Sequence, residues 1–162
     1  MPRMSKRAME SMDRRLAGIH EAGHLTAAMA LGLRGEAEIY PLITEDRFAE
    51  KTWGGQFRSW DGMPSQVAVA GITAEVLADE PDMGAYDLAC QIWDEDVHPS
   101  ATDLARFPPE AELEKVIVAV IELLTRHARF HRWATNKLIW QKEIFNHVAY
   151  ERFIEFEGGR SR

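Results

Sequence analysis

The sequence predicts a mostly α-helical domain with a small β-hairpin or sheet, which is an α+β fold. Long segments without proline repeat apolar residues at helical spacing, and two short segments between the first and second of them read as strands. The chain has 162 residues, of which 46% are apolar and 28% charged. These values are typical of one globular domain with a substantial hydrophobic core.

The first predicted helix covers residues 11–33, with Gly32 and Gly35 at its end. Apolar residues at helical spacing indicate that one face of this helix is turned toward the core. That face consists of Leu16, Ile19, Gly23, Ala27 and Ala30. A glycine within a helix costs about 1 kcal/mol relative to alanine, so we expect Gly23 to pack closely against another backbone.

Two short strands are predicted next. Residues 36–42 alternate apolar Ala37 and Ile39 with polar neighbours, and residues 53–60 contain Gly54-Gly55 near their start. This pattern favours a small hairpin.

Three helical segments are predicted after the hairpin. They cover residues 65–78, residues 83–93 and a short turn that starts at Pro99-Ser100. Asp82 is placed to cap the second of them, and Pro108-Pro109 stops the third.

The last part of the chain, residues 110–156, contains neither glycine nor proline and is too long for one globular helix. We therefore place breaks near 126–132 and near 145–146, with Asn146 capping a final helix over 147–156. The predicted organisation is a domain over residues 13–157 between flexible segments at 1–12 and 158–162.

Composition excludes several function classes. The net charge is −7 and no basic stripe is present, which argues against nucleic acid as a partner. The chain has no Gly-rich phosphate loop of the Walker type. It has a single cysteine, Cys90, no apolar run of about 18 residues and no secretory signal. We therefore expect a cytoplasmic protein that does not interact with membranes.

The motif with chemical content is His20-Glu21-Ala22-Gly23-His24, the HExxH pattern. Residues four apart lie one above the other on a helix, so both imidazoles can reach one tetrahedral zinc ion. Glu21 lies about 100° around the helix axis from His20. It is therefore expected to lie beside the open position of the metal and to act as the general base for water.

The segment from Ile19 to His24 resembles the start of the peptidase domain of the FtsH family, the ATP-dependent membrane zinc proteases. Further segments resemble that domain, and the resemblance covers residues 13–156. These segments are residues 38–41, 54–57, 70–75 and 142–145. The resemblance implies a zincin-like fold and zinc-dependent peptide hydrolysis. It also implies that strand 55–59 pairs with an extended substrate.

Members of that family carry an ATPase module and membrane spans ahead of the peptidase domain, and this sequence shows neither. We therefore expect a stand-alone relative that acts on peptides or unfolded proteins without ATP. A homo-oligomer or a separate unfoldase partner stays open.

The resemblance also implies a third zinc ligand, an aspartate that follows small residues and precedes a leucine or isoleucine at a helix start. Asp103, after Ser100-Ala101-Thr102, and Asp87, after Tyr86, both fit. The lead-in of small residues favours Asp103, and Asp87 is the alternative. We expect Glu75 to orient a ligand histidine rather than to bind the metal.

The sequence leaves two functions in competition. The first is a zinc metalloendopeptidase with His20, His24 and Asp103 as ligands and Glu21 as catalytic base. The second is a catalytically silent, metal-stabilised interaction module. The substrate, its cleavage preference and the oligomeric state do not follow from the sequence.

The sequence indicates no chemical role for His127, His131 or the tryptophans. His127 and His131 are four residues apart, but no glutamate lies between them, and we interpret them as surface or interface residues. The tryptophans are interpreted as core or interface anchors.

Overall fold

The computed structural model describes residues 4–43 and 51–159, and within them it confirms a mostly helical α+β fold. Seven helices and a three-stranded antiparallel sheet follow one another along this part of the chain. In order they are α1 (Lys6–Ala30), β1 (Gly35–Pro41), β2 (Trp53–Ser59), α2 (Ser65–Asp79), α3 (Ala85–Trp93), α4 (Ala101–Leu104), α5 (Glu110–Arg126), α6 (Ala128–Gln141), β3 (Glu143–Ile144) and α7 (Asn146–Gly158). In this described part, no helix is both long and apolar enough to cross a membrane.

Helix α1 is the centre of the fold. Every residue from Gly18 to Met29 is buried except His20, because α2, α6 and the sheet pack around this half of the helix. The expectation for Gly23 is confirmed: a Cβ atom there would lie 2.7 Å from the Ala70 carbonyl oxygen. The backbones of α1 and α2 can approach this closely only because the side chain is absent.

The sheet has the strand order β2-β1-β3, so the predicted hairpin is confirmed and β3 is an addition to it. In the hairpin, Ile39 lies opposite Gly55 and Ala37 opposite Phe57. These inward-facing residues include Ala37, Ile39 and Phe57 of the core, which pack against α1. Strand β2 is therefore an edge strand next to the buried half of α1.

Helix α1 begins at Lys6 rather than near residue 11. The Ser5 hydroxyl accepts a hydrogen bond from the Ala8 amide and caps the helix. Much of the segment expected to be flexible is therefore helical. Residues 1–3 and 160–162 of the predicted flexible ends lie outside the described residues.

Two predicted caps are wrong. Helix α3 is preceded by Gly84 in an extended conformation, and the Asp82 side chain does not cap it. Asn146 is the first residue of α7 rather than its cap, because its side-chain oxygen accepts a hydrogen bond from the Gly35 amide of β1 at 2.9 Å. This long-range partner has no signal in the local sequence.

The breaks in the last part of the chain fall at His127 and at residues 142–145. The first lies within the predicted window. The second begins earlier than predicted, because Lys142 adopts a left-handed conformation with φ of 69° and ends α6. The two residues of β3 then pair with Ala37 and Glu38.

The surface interpretation of His127 is wrong. It is 8% exposed, its Nδ1 lies 3.0 Å from a Glu157 carboxylate oxygen, and its ring packs on Phe153. His131 is half-buried, and its Nε2 donates to the Ile19 carbonyl oxygen at 3.1 Å.

The tryptophans do not form a core cluster. Trp60, Trp93 and Trp140 are each more than half exposed, so a core position is wrong for these three.

Candidate metal centre

The two histidines of the motif meet Asp103 at one point. His20 and His24 lie one turn apart on the buried half of α1, with ring centroids 4.8 Å apart. Each Nε2 atom lies 3.2 Å from the same carboxylate oxygen of Asp103. The predicted residues His20, His24 and Asp103 are thus brought together, although Asp103 follows His24 by 79 positions in the sequence.

Asp103 is held in place by the start of its own short helix. Its backbone amide donates to the Ser100 hydroxyl at 3.1 Å, so Ser100 caps α4 as the small-residue lead-in predicts. The Asp103 side chain is buried against the two imidazoles. The alternative, Asp87, is exposed on α3 and lines a separate depression with Cys90, so it does not join this group.

The Nδ1 atom of each imidazole, on the side of the ring away from Asp103, donates to an acceptor on α2. His24 Nδ1 donates to the Val67 carbonyl oxygen at 2.7 Å, and His20 Nδ1 donates to Glu75 Oε2 at 2.9 Å. With Nδ1 protonated, the neutral ring has its lone pair on Nε2, which is the atom that faces Asp103. Hydrogen bonds of this kind orient histidines as metal ligands.

Gly71 of α2 leaves the space at the centre of the group. A Cβ atom at this position would lie 2.5 Å from His24 Nε2 and 2.6 Å from His20 Nε2. Any larger residue would therefore overlap the two nitrogens that converge on Asp103.

The charges around the group favour a cation. Burial alone would lower the pKa of His20, but hydrogen bonds to Asp103 and Glu75, together with the charges of Glu21 and Glu75, raise it to about 10. Burial opposes ionisation of Asp103, yet the two imidazoles hold its pKa well below the usual range. Without a metal, a proton on His20 balances the carboxylates, and a divalent ion would replace it.

The donor set fits zinc. Two imidazole nitrogens and one carboxylate oxygen lie within 4.8 Å of one another, and zinc binds donor atoms of these types. Around a tetrahedral zinc with bonds of about 2.0–2.1 Å, neighbouring ligand atoms lie about 3.3 Å apart. The 3.2 Å separations between each Nε2 and the Asp103 oxygen match this spacing.

Glu21 borders the same cavity, next to strand β2. It is 7% exposed, and burial raises the pKa of its carboxyl group. Its carboxylate lies against β2, where a Cβ atom on Gly55 would be 2.6 Å from Oε1. The cavity has a volume of about 520 Å³ and is lined by His20, Glu21, His24 and Asp103 together with residues of β2.

The sequence predicts no role for two residues of this site, Val67 and Gly71, and it does not predict that Phe57 of the expected substrate strand contacts His24. Phe57 stacks on the His24 ring with centroids 5.7 Å apart. A glycine inside the apolar segment 65–78 is a signal that could have identified Gly71, since such a glycine needs a compensating reason. The Val67 carbonyl carries no side-chain signal.

No protein-family model, curated protein or solved structure matches this chain. The resemblance to the FtsH peptidase domain therefore rests on the sequence motifs alone.

Proposed function

We propose that this protein is a zinc metalloendopeptidase of zincin-like fold and a relative of the FtsH-family peptidase domain. The observation that carries the proposal is the group of His20, His24 and Asp103 beside Glu21 in an open cavity. A purely structural zinc site has four protein ligands and is closed, whereas three protein ligands leave a position for substrate.

Each residue has a distinct part in peptide hydrolysis. Zinc, held by His20, His24 and Asp103, would supply the Lewis acid that activates water and polarises the peptide carbonyl group. Glu21 would accept a proton from the attacking water at its carboxylate and return it to the leaving amine nitrogen. Glu75 and the Val67 carbonyl keep the two imidazoles oriented. Water is the only co-reactant, so the reaction needs no ATP.

Strand β2 supplies a place for the substrate backbone. The Ile39 amide donates to the Lys142 carbonyl oxygen at 2.7 Å. The backbone amide and carbonyl of Ile39 therefore point toward β3 and away from β2. Its partner Gly55 belongs to a non-hydrogen-bonded pair, and its own amide and carbonyl therefore point to the outer edge of β2. The backbone amide and carbonyl of Phe57, two residues further along β2, point to the same outer edge. Among the described residues, no strand covers this edge.

This edge supports an extended substrate next to the catalytic group. An added peptide strand would pair with Gly55, and Gly55 contacts Glu21 on its inner side. A peptide must be extended to pair in this way, so flexible segments and unfolded proteins are the proposed substrates. The free thiol of Cys90 suits a reducing compartment, and we propose the cytoplasm as the site of action.

The second candidate is a metal-stabilised interaction module without turnover. It is favoured by the distribution of the ligands: the metal would tie the short helix α4 to α1, which is a structural role.

The test is Glu21→Gln, which leaves the three ligands in place but removes the proton acceptor. We expect zinc-loaded wild type to cleave casein and Glu21→Gln to lose at least about 100-fold in rate, because general-base catalysis contributes about 10²–10⁴. Zinc content should be the same in both proteins. A chelator supplies the second control, since it should abolish cleavage by wild type.

The outcomes separate the candidates. Cleavage that persists in Glu21→Gln would contradict the assignment of the base. Absence of cleavage by zinc-loaded wild type, with zinc bound and the fold stabilised, would favour the interaction module.

A further inference from the structure

Tyr40 of β1 reaches across the edge strand to the point where the proposed substrate would pair. Its side chain lies on the outer face of the hairpin, opposite Gly54. A Cβ atom on Gly54 would be 3.2 Å from Tyr40 Cε2, so the ring crosses β2 where a side chain is missing. The Tyr40 hydroxyl donates to the Gly55 carbonyl oxygen at 3.4 Å.

That carbonyl oxygen is the acceptor that an added peptide strand needs. Because the backbone groups of Gly55 face the outer edge of β2, the Tyr40 hydroxyl must reach this edge to contact them. Tyr40 also lines the cavity that contains Glu21 and the three ligands. The hydroxyl therefore lies at the edge where a substrate amide would donate to the same oxygen.

We propose that Tyr40 is a latch on the substrate-binding edge: its hydroxyl occupies the Gly55 carbonyl in the free protein and must leave before a peptide amide binds there. The inference rests on the proposed peptidase function and adds a residue that controls substrate binding. Exposed strand edges invite pairing with other chains, and natural proteins cover or blunt them. The latch would protect the edge of β2 from unwanted pairing with other chains. Opening it would break only one weak, exposed hydrogen bond.

The latch predicts that removing a hydrogen-bonding group will increase the affinity for peptide. Removing the hydroxyl while keeping the ring, as in Tyr40→Phe, should strengthen peptide binding, because the substrate no longer displaces an internal donor. The net contribution of one hydrogen bond corresponds to about two- to tenfold in affinity. A tyrosine with only a packing role would leave affinity unchanged or weaken it when altered.

The experiment measures binding separately from turnover. Zinc-loaded Glu21→Gln and Glu21→Gln/Tyr40→Phe are titrated against a fluorescein-labelled, unstructured casein fragment by fluorescence anisotropy. The matched control is Tyr150→Phe, the same change at an exposed tyrosine of α7. In the active background, Tyr40→Phe should lower KM by the same factor and leave kcat unchanged.

The expected result is a Kd two- to tenfold lower with Tyr40→Phe and unchanged with Tyr150→Phe. An equal or higher Kd with Tyr40→Phe overturns the latch, and cleavage of casein by wild type would then leave the peptidase proposal standing. Tighter binding without any cleavage supports the latch and removes the peptidase proposal. A peptide that binds none of the variants overturns the latch together with edge recognition.

Discussion

Asp103 shows how one residue can complete a site from a distant part of the chain. The Ser100 cap fixes the first turn of α4 and directs the Asp103 carboxylate toward His20 and His24, at 3.2 Å from each Nε2. Asp87 has the same side chain and also lies in the first turn of a helix, but α3 leaves it exposed. The pair therefore offers a matched comparison for metal binding.

We expect wild type and Asp87→Ala to bind about one zinc ion per chain, as single-site zinc proteins do. Asp103→Ala should weaken binding by more than about 100-fold, because loss of a ligand costs more than the 10- to 100-fold typical of an orienting partner. Competition with a chelator of known affinity measures both constants. Equal affinity in the two variants would contradict the assignment of Asp103, and loss only in Asp87→Ala would reverse it.

Gly71 gives a second prediction at the level of single residues. Gly71→Ala places a methyl group 2.5 Å from His24 Nε2 and 2.6 Å from His20 Nε2, so the imidazoles must turn away from the metal position. We expect zinc binding to be lost and the free energy of unfolding to fall by about 1–3 kcal/mol from overpacking. The control is Gly84→Ala, where the nearest atom to a new Cβ is 3.7 Å away. Normal zinc content in Gly71→Ala would show that the metal lies elsewhere.

At the level of elements, α6 supports α1 immediately before the motif. The His131 side chain extends from α6 and donates to the carbonyl oxygen of Ile19, the residue that precedes His20. Burial lowers the pKa of His131 below 6.5, and the hydrogen bond to Ile19 opposes this only in part. The folded protein therefore prefers the neutral ring.

This preference predicts a pH dependence of stability. Below pH 6.5 the unfolded chain binds a proton at His131 and the folded chain does not, so the free energy of unfolding falls as the pH decreases from 6.5 toward the lower, folded pKa. The contribution is at most about 1.4 kcal/mol per pH unit. Above pH 6.5 it is absent, because both states hold the neutral ring.

His131→Gln keeps a donor for Ile19 but cannot titrate, so its stability should depend less on pH between about 5 and 6.5. Urea unfolding of metal-free wild type and variant measures the difference, and metal-free protein prevents zinc loss from contributing. His147→Gln, at an exposed histidine of α7, serves as the control. Parallel pH profiles for wild type and His131→Gln would refute the prediction.

The elements predictable from sequence are those with a local cause. Helical periodicity, proline and glycine predict the hairpin and α2 close to their observed bounds, whereas α1 begins at Lys6, well before the predicted start near residue 11. Strand β3 has only two residues, too few for a pattern, and it forms because Lys142 turns the chain back toward β1. The burial of His127 is not predictable for a similar reason: its ring contacts Phe153 and Glu157 of α7, which no local pattern connects to it.

The residues of the candidate site also fall into those with a local sequence signal and those that depend on tertiary contacts. His20, Glu21 and His24 share one helix, and their spacing alone predicts their convergence. An aspartate as third ligand is implied by the resemblance, and the small-residue lead-in, which is local, favours Asp103 over Asp87. Gly71 and the Val67 carbonyl act through the packing of α2 on α1, and the Tyr40 hydroxyl acts through the register of two strands. Tertiary contacts of this kind leave little trace in a single sequence.

For the whole molecule, the candidate metal centre lies where separate parts of the fold meet. Its ligands come from α1 and α4, and the acceptors that orient the histidines come from α2. Helix α4 has only four residues, and its contacts to the rest of the fold are few compared with those of α2 or α6. Zinc is therefore expected to stabilise the fold and to fix α4 in particular.

Binding to the folded state alone adds about 2.7 kcal/mol when zinc is present at 100 times its Kd. For a chain of this size, that corresponds to a rise in Tm of about 5–10 °C. Circular dichroism with zinc and with a chelator measures the shift. Asp87→Ala should show the full shift and His24→Ala none, because only the second removes a ligand.

Hydrogen exchange locates the effect within the molecule. Zinc should slow exchange of the amides in residues 101–106, whose protection depends on α4, far more than that of the core of α2, which is buried with or without the metal. Asp103→Ala should remove the zinc-dependent protection of α4 while leaving α2 unchanged. Uniform protection of the whole chain would mean that the metal adds global stability without fixing α4. Absence of both the Tm shift and local protection in zinc-loaded wild type would rule out this centre as a zinc site.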